Sequence, residues 1–142
     1  MAGRRRAKLR SSMEDRIVPP LLKQGAEYEP IRLVYAAKPR AYKPDVVLPN
    51  GIVIEIKGWF RSADRAKMAL VKQQYPNLDL RMVLASPFQR LNKTSATTQA
   101  MWCRQHGIPF ADTSVPKAWL MEPINEASLR IINAAPRVRK TK

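Results

Sequence analysis

The chain has one cysteine, one histidine and 11 acidic residues among 142, and each shortage closes off a class of protein. A lone Cys103 cannot close an internal disulfide, which fits a reducing, cytoplasmic setting. A single histidine beside it leaves too few ligands for a structural zinc site of the usual kind. His106 stands before Gly107 at what reads as a helix end, where an imidazole suits the terminal dipole and glycine supplies a left-handed cap. A structural role is therefore expected of it rather than a catalytic one. No apolar run approaches the roughly 20 residues that span a bilayer, and the arginine-rich start lacks the apolar stretch of a secretory signal. Neither a membrane nor export is expected.

Few acids against 26 Lys and Arg residues leave a formal net charge of +15. Such a surplus marks a polyanionic partner, most often nucleic acid, although a ribosomal or packaging protein would share it. Charge bears on binding and says nothing of catalysis. With 45% hydrophobic residues in 142, one domain with a modest core is expected.

The first ten residues, with Arg4, Arg5, Arg6, Lys8 and Arg10, read as a basic arm able to neutralise several phosphates, or else as a solubilising tail. Ser11 and Glu14 stand in capping-box spacing and open a helix toward Lys23 and Gln24 that stops at Gly25. Pro19 and Pro20 are expected to kink it or split it in two. Tyr28 to Tyr35 reads as a strand weakened by Pro30, and Ala36 to Tyr42, carrying Lys38 and Arg40, as a basic linker. Farther on, Ser62 is the expected N-cap of a helix from Ala63 to Tyr75 that carries Arg65, Lys67 and Lys72. Leu80 to Ala85 reads as a buried strand, Ser95 to Gln105 as a helix, Ile108 to Ala111 as a last strand and Asn125 to Ala135 as a last helix. Helices before and after a mixed sheet imply an α/β sandwich. Trp59, Trp102 and Trp119 lie beside apolar neighbours, which favours the core over base stacking.

The densest chemistry lies between Lys43 and Lys57. Pro49, Asn50 and Gly51 suit a three-residue hairpin loop made of a type I turn and a left-handed bulge residue. Leu48 and Ile52 then close the loop, Val47 faces Val53, Val46 faces Ile54, and Asp45 lands opposite Glu55. Alternation puts Asp45, Glu55 and Lys57 on one face and Val46, Leu48, Ile52, Ile54 and Ile56 on the other. Opposed carboxylates repel unless a cation sits between them. Hard oxygen ligands on a rigid strand pair, with the Ile56 carbonyl as a further donor, suit Mg2+ or Mn2+ better than zinc. Lys57 would orient or deprotonate an attacking water, or neutralise charge on a phosphorane-like transition state. The bland alternative is a surface hairpin with a solvated Glu55–Lys57 pair, because so short a pattern recurs by chance.

These residues resemble a known family. Pro44-Asp45 followed by Glu55-Ile56-Lys57 is similar to the signature of the PD-(D/E)xK nuclease superfamily, and the likeness extends to the bacteriophage endonuclease I type of Holliday-junction resolvase. It is carried by Met13-Glu14-Asp15-Arg16, by Pro44 to Ile52, by Glu55-Ile56-Lys57-Gly58 and by Asp64-Arg65-Ala66-Lys67. Cys103 to Asp112, Pro116-Lys117-Ala118-Trp119 and Glu122-Pro123 continue it.

The resemblance implies a restriction-endonuclease-like α/β fold with a mixed central sheet, in an intertwined homodimer. Each active site would combine a helix acid of one chain, Glu14 by position, with Asp45, Glu55 and Lys57 of the other. It further implies Mg2+, with Mn2+ able to substitute, and branched DNA, above all four-way junctions, as substrate. On that basis residues 1–10 form the arm, 11–123 the nuclease domain and 124–142 a C-terminal helix and basic tail. Arg4, Arg5, Arg6, Lys8, Arg10, Lys38, Arg40, Arg65 and Lys67 are the expected phosphate contacts. The competing expectations are a less selective nuclease of the same superfamily acting on single strands or flaps, and a basic DNA-binding protein without catalysis.

Overall fold

The computed structural model describes residues 11–35 and 40–138; the basic arm, Lys38 and the last four residues of the tail lie outside that range. The first helix, α1 (Ser12–Lys23), is one element with Pro19 and Pro20 inside it, so of the expected kink or split, the split does not occur. Both prolines are exposed, and the carbonyls that lose their N–H partners belong to Asp15 and Arg16, which are exposed as well. The opposite face buries Ile17, Val18 and Leu21, and this tertiary packing outweighs the poor local propensity. Gly25, at φ +91°, turns the chain out of the helix.

The expected strand from Tyr28 to Tyr35 is two strands in different sheets: β1 (Glu27–Tyr28) and β2 (Leu33–Tyr35). Glu29 sits at φ +46° and Pro30 offers no N–H, so the ladder breaks between them. The supposed linker ends in a third strand, β3 (Arg40–Tyr42), paired antiparallel with β2.

Next comes the hairpin of β4 (Val46–Val47) and β5 (Ile52–Lys57), with the register expected from the turn: Val46 pairs with Ile54 and Val47 with Val53. Leu48 N–H donates to the Ile52 carbonyl at 2.8 Å, and Gly51 occupies the left-handed position at φ +93°. A side chain at Gly51 would meet the Asn125 carbonyl at 2.9 Å, so this glycine is required by backbone conformation and close approach together.

Helix α2 (Ser62–Gln74) starts one residue before expectation, with Arg61 as N-cap, because the Asp64 carboxylate accepts from the Arg61 N–H at 3.1 Å. It leads to β6 (Asp79–Leu84), parallel to β5. Helix α3 (Gln99–Gln105) begins only after Thr98, whose hydroxyl accepts from Met101 N–H; residues 95–98 are loop rather than helix. Strand β7 (Phe110–Asp112), a short unanticipated helix α4 (Lys117–Met121) and α5 (Glu126–Ala134) complete the described chain.

The main sheet has five strands in the order β1-β4-β5-β6-β7, antiparallel across β1, β4 and β5 and parallel across β5, β6 and β7. This is the expected mixed sheet flanked by helices. One face carries Val46, Leu48, Ile52, Ile54 and Ile56 under α1; the other carries Val47 and Val53 with Tyr42, Phe60, Met68, Trp102 and Ile132. The C-terminal helix is built into the core. Its Ser128 hydroxyl donates to the Gly51 carbonyl at 2.6 Å and accepts from Asp79 N–H at 2.9 Å.

His106 is structural, as expected: it is the C-cap of α3, stacked on the Trp102 ring, with Nδ1 2.8 Å from the Trp102 carbonyl. Trp102 is core and Trp119 is partly buried, with the Arg81 guanidinium over its ring. Trp59 is not core; it is 67% exposed.

Candidate active site

Asp45, Glu55 and Lys57 converge where β4 and β5 open out at the end of the hairpin. Asp45 and Glu55 are each only 4% exposed, far drier than a solvated surface pair. Asp45 Oδ2 accepts from Ile56 N–H at 2.8 Å. Because the N–H and C=O of a strand residue point to the same side, the Ile56 carbonyl also faces the Asp45 strand. Glu55 is gripped at both oxygens: the Tyr42 hydroxyl donates to Oε1 at 2.9 Å, and Lys57 Nζ lies 3.2 Å from Oε2. Lys57 also reaches Asp64 Oδ1 at 3.4 Å, so one carboxylate caps α2 and steadies the lysine.

These neighbours set the ionisation of the group. Burial, then the Glu55 charge, push Asp45 up to about 8, against the opposing Ile56 N–H bond. Burial also raises Glu55, more than Lys57 and Tyr42 lower it. For Lys57, burial alone would favour the neutral amine, but Glu55 and Asp64 outweigh it and hold the ammonium more firmly protonated than usual. Tyr42 is raised by burial and by both carboxylates, so it remains a phenol and a donor.

Glu14 lies beside this group rather than inside it. Its Oε1 accepts from the Tyr28 hydroxyl at 2.9 Å and its Oε2 from Ser11 at 3.2 Å, while Ser11 Oγ accepts from Glu14 N–H as the N-cap of α1. Its charge nonetheless adds to the upward shift of Asp45. The structure thus shows Glu14 in its helix-cap role, bonded to Ser11 and Tyr28. Within the described residues, the helix acid whose charge acts on Asp45 is the chain's own Glu14.

Among the expected phosphate contacts, Arg40 is exposed on β3, and Lys67 is half-buried and close enough for its charge to act on Glu55. Arg65 is committed to the fold, with Nη1 donating to the Phe60 carbonyl at 2.7 Å. Arg4, Arg5, Arg6, Lys8, Arg10 and Lys38 lie outside the described residues.

Comparison with known sequences matches residues 1–139 to the family described as Phage endonuclease I. The chain belongs to this family. Endonuclease I of Escherichia phage T7 is 41% identical over 121 residues, covering 82% of this chain and 81% of that protein. Endodeoxyribonuclease 1 of Enterobacteria phage T3 is 42% identical over 121 residues, covering 82% and 80%.

The donors at this site suit a hard divalent cation. Two buried carboxylates that each resist ionisation, with a backbone carbonyl facing the same edge, could serve as oxygen ligands, and a cation between them would remove their repulsion. Among the described residues no group of three or more His, Cys, Asp or Glu stands ready to hold a metal. Water or substrate oxygens would have to complete the shell, which is the habit of Mg2+ more than of zinc. Nothing in the sequence pointed to Tyr42, and only a weak signal pointed to Asp64. Tyr42 reaches Glu55 from the separate β2–β3 sheet, whereas Asp64 at the third position of a helix following Lys57 is a recognisable capping acid.

Proposed function

We propose that the chain is a metal-dependent endodeoxyribonuclease that resolves four-way DNA junctions by paired nicks. The observation that carries this reading is the convergence of Asp45 and Glu55, both buried and both resisting ionisation, beside a Lys57 held as an ammonium. Family membership and relatives named Endonuclease I and Endodeoxyribonuclease 1 support it.

The Asp45 and Glu55 carboxylates and the Ile56 carbonyl would hold Mg2+, or Mn2+ in its place. The ion supplies Lewis-acid polarisation of a phosphate oxygen and a more acidic water. The chain itself does the rest. Lys57, protonated at neutral pH, is suited to neutralise charge gathering on the phosphate rather than to abstract a proton. Tyr42 and Asp64 fix Glu55 and Lys57 in place, and Glu14 adds negative charge that would help a second cation settle near Asp45. Inline attack of water on phosphorus, with departure of the 3'-oxygen, leaves a 5'-phosphate and a 3'-hydroxyl.

Paired nicks call for two such sites, and a symmetric homodimer provides them, engaging two arms of a branch at once. An exchanged dimer would trade α1 between protomers and keep the same residues around each Asp45. Branch geometry then replaces base sequence as the feature recognised, with phosphate contacts supplying affinity. The test is nicking of a labelled four-way junction, a flap and a linear duplex in Mg2+ by wild type and Lys57→Ala. Loss of cutting by Lys57→Ala with junction affinity retained supports the reading. Cutting that survives the substitution refutes the proposed centre, and equal wild-type rates on all three substrates replace the resolvase with a general nuclease.

A further inference from the structure

We infer that Trp59, backed by Arg61, is a stacking platform for an unstacked DNA base at the branch, next to the cleavage centre. This rests on the nuclease reading above and adds to it a determinant of substrate shape. Trp59 is a large aromatic residue left 67% exposed, although its neighbour Phe60 is only 1% exposed and packs edge-on against Trp102 at 5.0 Å. The stretch that carries Trp59 is held on both sides. Two residues before it, Lys57 is paired with Glu55 and Asp64, and one residue after it the Phe60 carbonyl accepts from Arg65. An apolar ring is thus held on a fixed support within two residues of the lysine that faces the phosphate.

The Arg61 guanidinium carbon lies 4.1 Å from the centroid of the Trp59 ring. That stack orients the indole, and its positive charge suits a nucleotide phosphate. At Gly58, the residue before Trp59, no atom beyond the glycine and its two chain neighbours lies within 4 Å of where a side chain would begin, and Gly58 borders a shallow cavity of about 360 Å³ shared with Ser12, Met13, Arg16 and Ala85. Bases inside a continuous duplex are already stacked on both sides, whereas a branch point or a flap presents a free π face. Stacking on an aromatic side chain is strong and tolerant of base identity, so a ring placed here selects for exposed bases rather than for sequence.

The test compares wild type, Trp59→Ala and Trp59→Phe on a four-way junction carrying 2-aminopurine beside the branch point. Binding is read by fluorescence without divalent metal, and nicking is read separately in Mg2+. The expected result is a fluorescence change with wild type that Trp59→Ala abolishes and Trp59→Phe restores in part. Junction nicking by Trp59→Ala should fall on the order of ten-fold, with linear-duplex nicking little changed. Trp59→Ala that keeps its far-ultraviolet circular dichroism, the fluorescence change and the junction rate overturns the inference while leaving the nuclease intact. Failure of wild type to nick any DNA sinks the nuclease reading instead, and the metal-free fluorescence still decides the stacking.

Discussion

Asp45→Asn should stabilise the metal-free protein, and by an amount that grows with pH. Asp45 has an ordinary value of 3.8 and is pushed up to about 8 by burial and Glu55. Below pH 3.8 the carboxyl is protonated in both folded and unfolded chains and contributes no penalty. As pH rises toward 8 the unfolded chain releases its proton while the folded one keeps it, so stability is lost across that window. At about 1.4 kcal/mol per pH unit, the cost at pH 7 has a ceiling of about 4 kcal/mol. Side-chain relaxation and water entry around an ionising Asp45 reduce this to about 2 kcal/mol, or about 6 °C in Tm for a chain of this size. Asparagine keeps an oxygen for the Ile56 N–H, so the substitution removes the charge without orphaning a buried donor. Thermal unfolding in a chelator at pH 5 and pH 8 measures the difference, which should be larger at pH 8. Added Mn2+ should reduce or reverse it by stabilising wild type alone. A variant no more stable than wild type at pH 8 in chelator would refute the claim that Asp45 is held against its own ionisation.

Tyr42→Phe removes the hydroxyl that lowers Glu55, so the acidic limb of the pH–rate profile for junction nicking should move to higher pH, with a rate loss of about ten-fold near neutrality; an unchanged profile would show that Tyr42 only packs. Gly51→Ala should cost about 2 kcal/mol or more, read by chemical denaturation, because the position combines φ +93° with a 2.9 Å approach to the Asn125 carbonyl; a loss below about 0.5 kcal/mol would mean the loop relaxes freely.

The hairpin was legible in the sequence because its determinants are local. Pro49-Asn50-Gly51 sets the turn, alternation sets the faces, and together they place Asp45 opposite Glu55 without reference to the rest of the chain. Elements decided by distant contacts were less legible. The continuity of α1 through Pro19 and Pro20 depends on Ile17, Val18 and Leu21 packing under the sheet. Strand β3 exists only by pairing with β2 across residues 36–39. Tyr42 becomes a partner of Glu55 only once two sheets meet, and the exposure of Trp59 beside a buried Phe60 is a choice between neighbours that composition does not reveal.

Anomalous scattering from crystals grown with Mn2+ tests the central claim most directly. A peak bonded to the Asp45 and Glu55 carboxylates and to the Ile56 carbonyl, absent in crystals of Glu55→Gln, is the predicted result. No peak there, under conditions in which the same Mn2+ concentration supports junction nicking in solution, would contradict it.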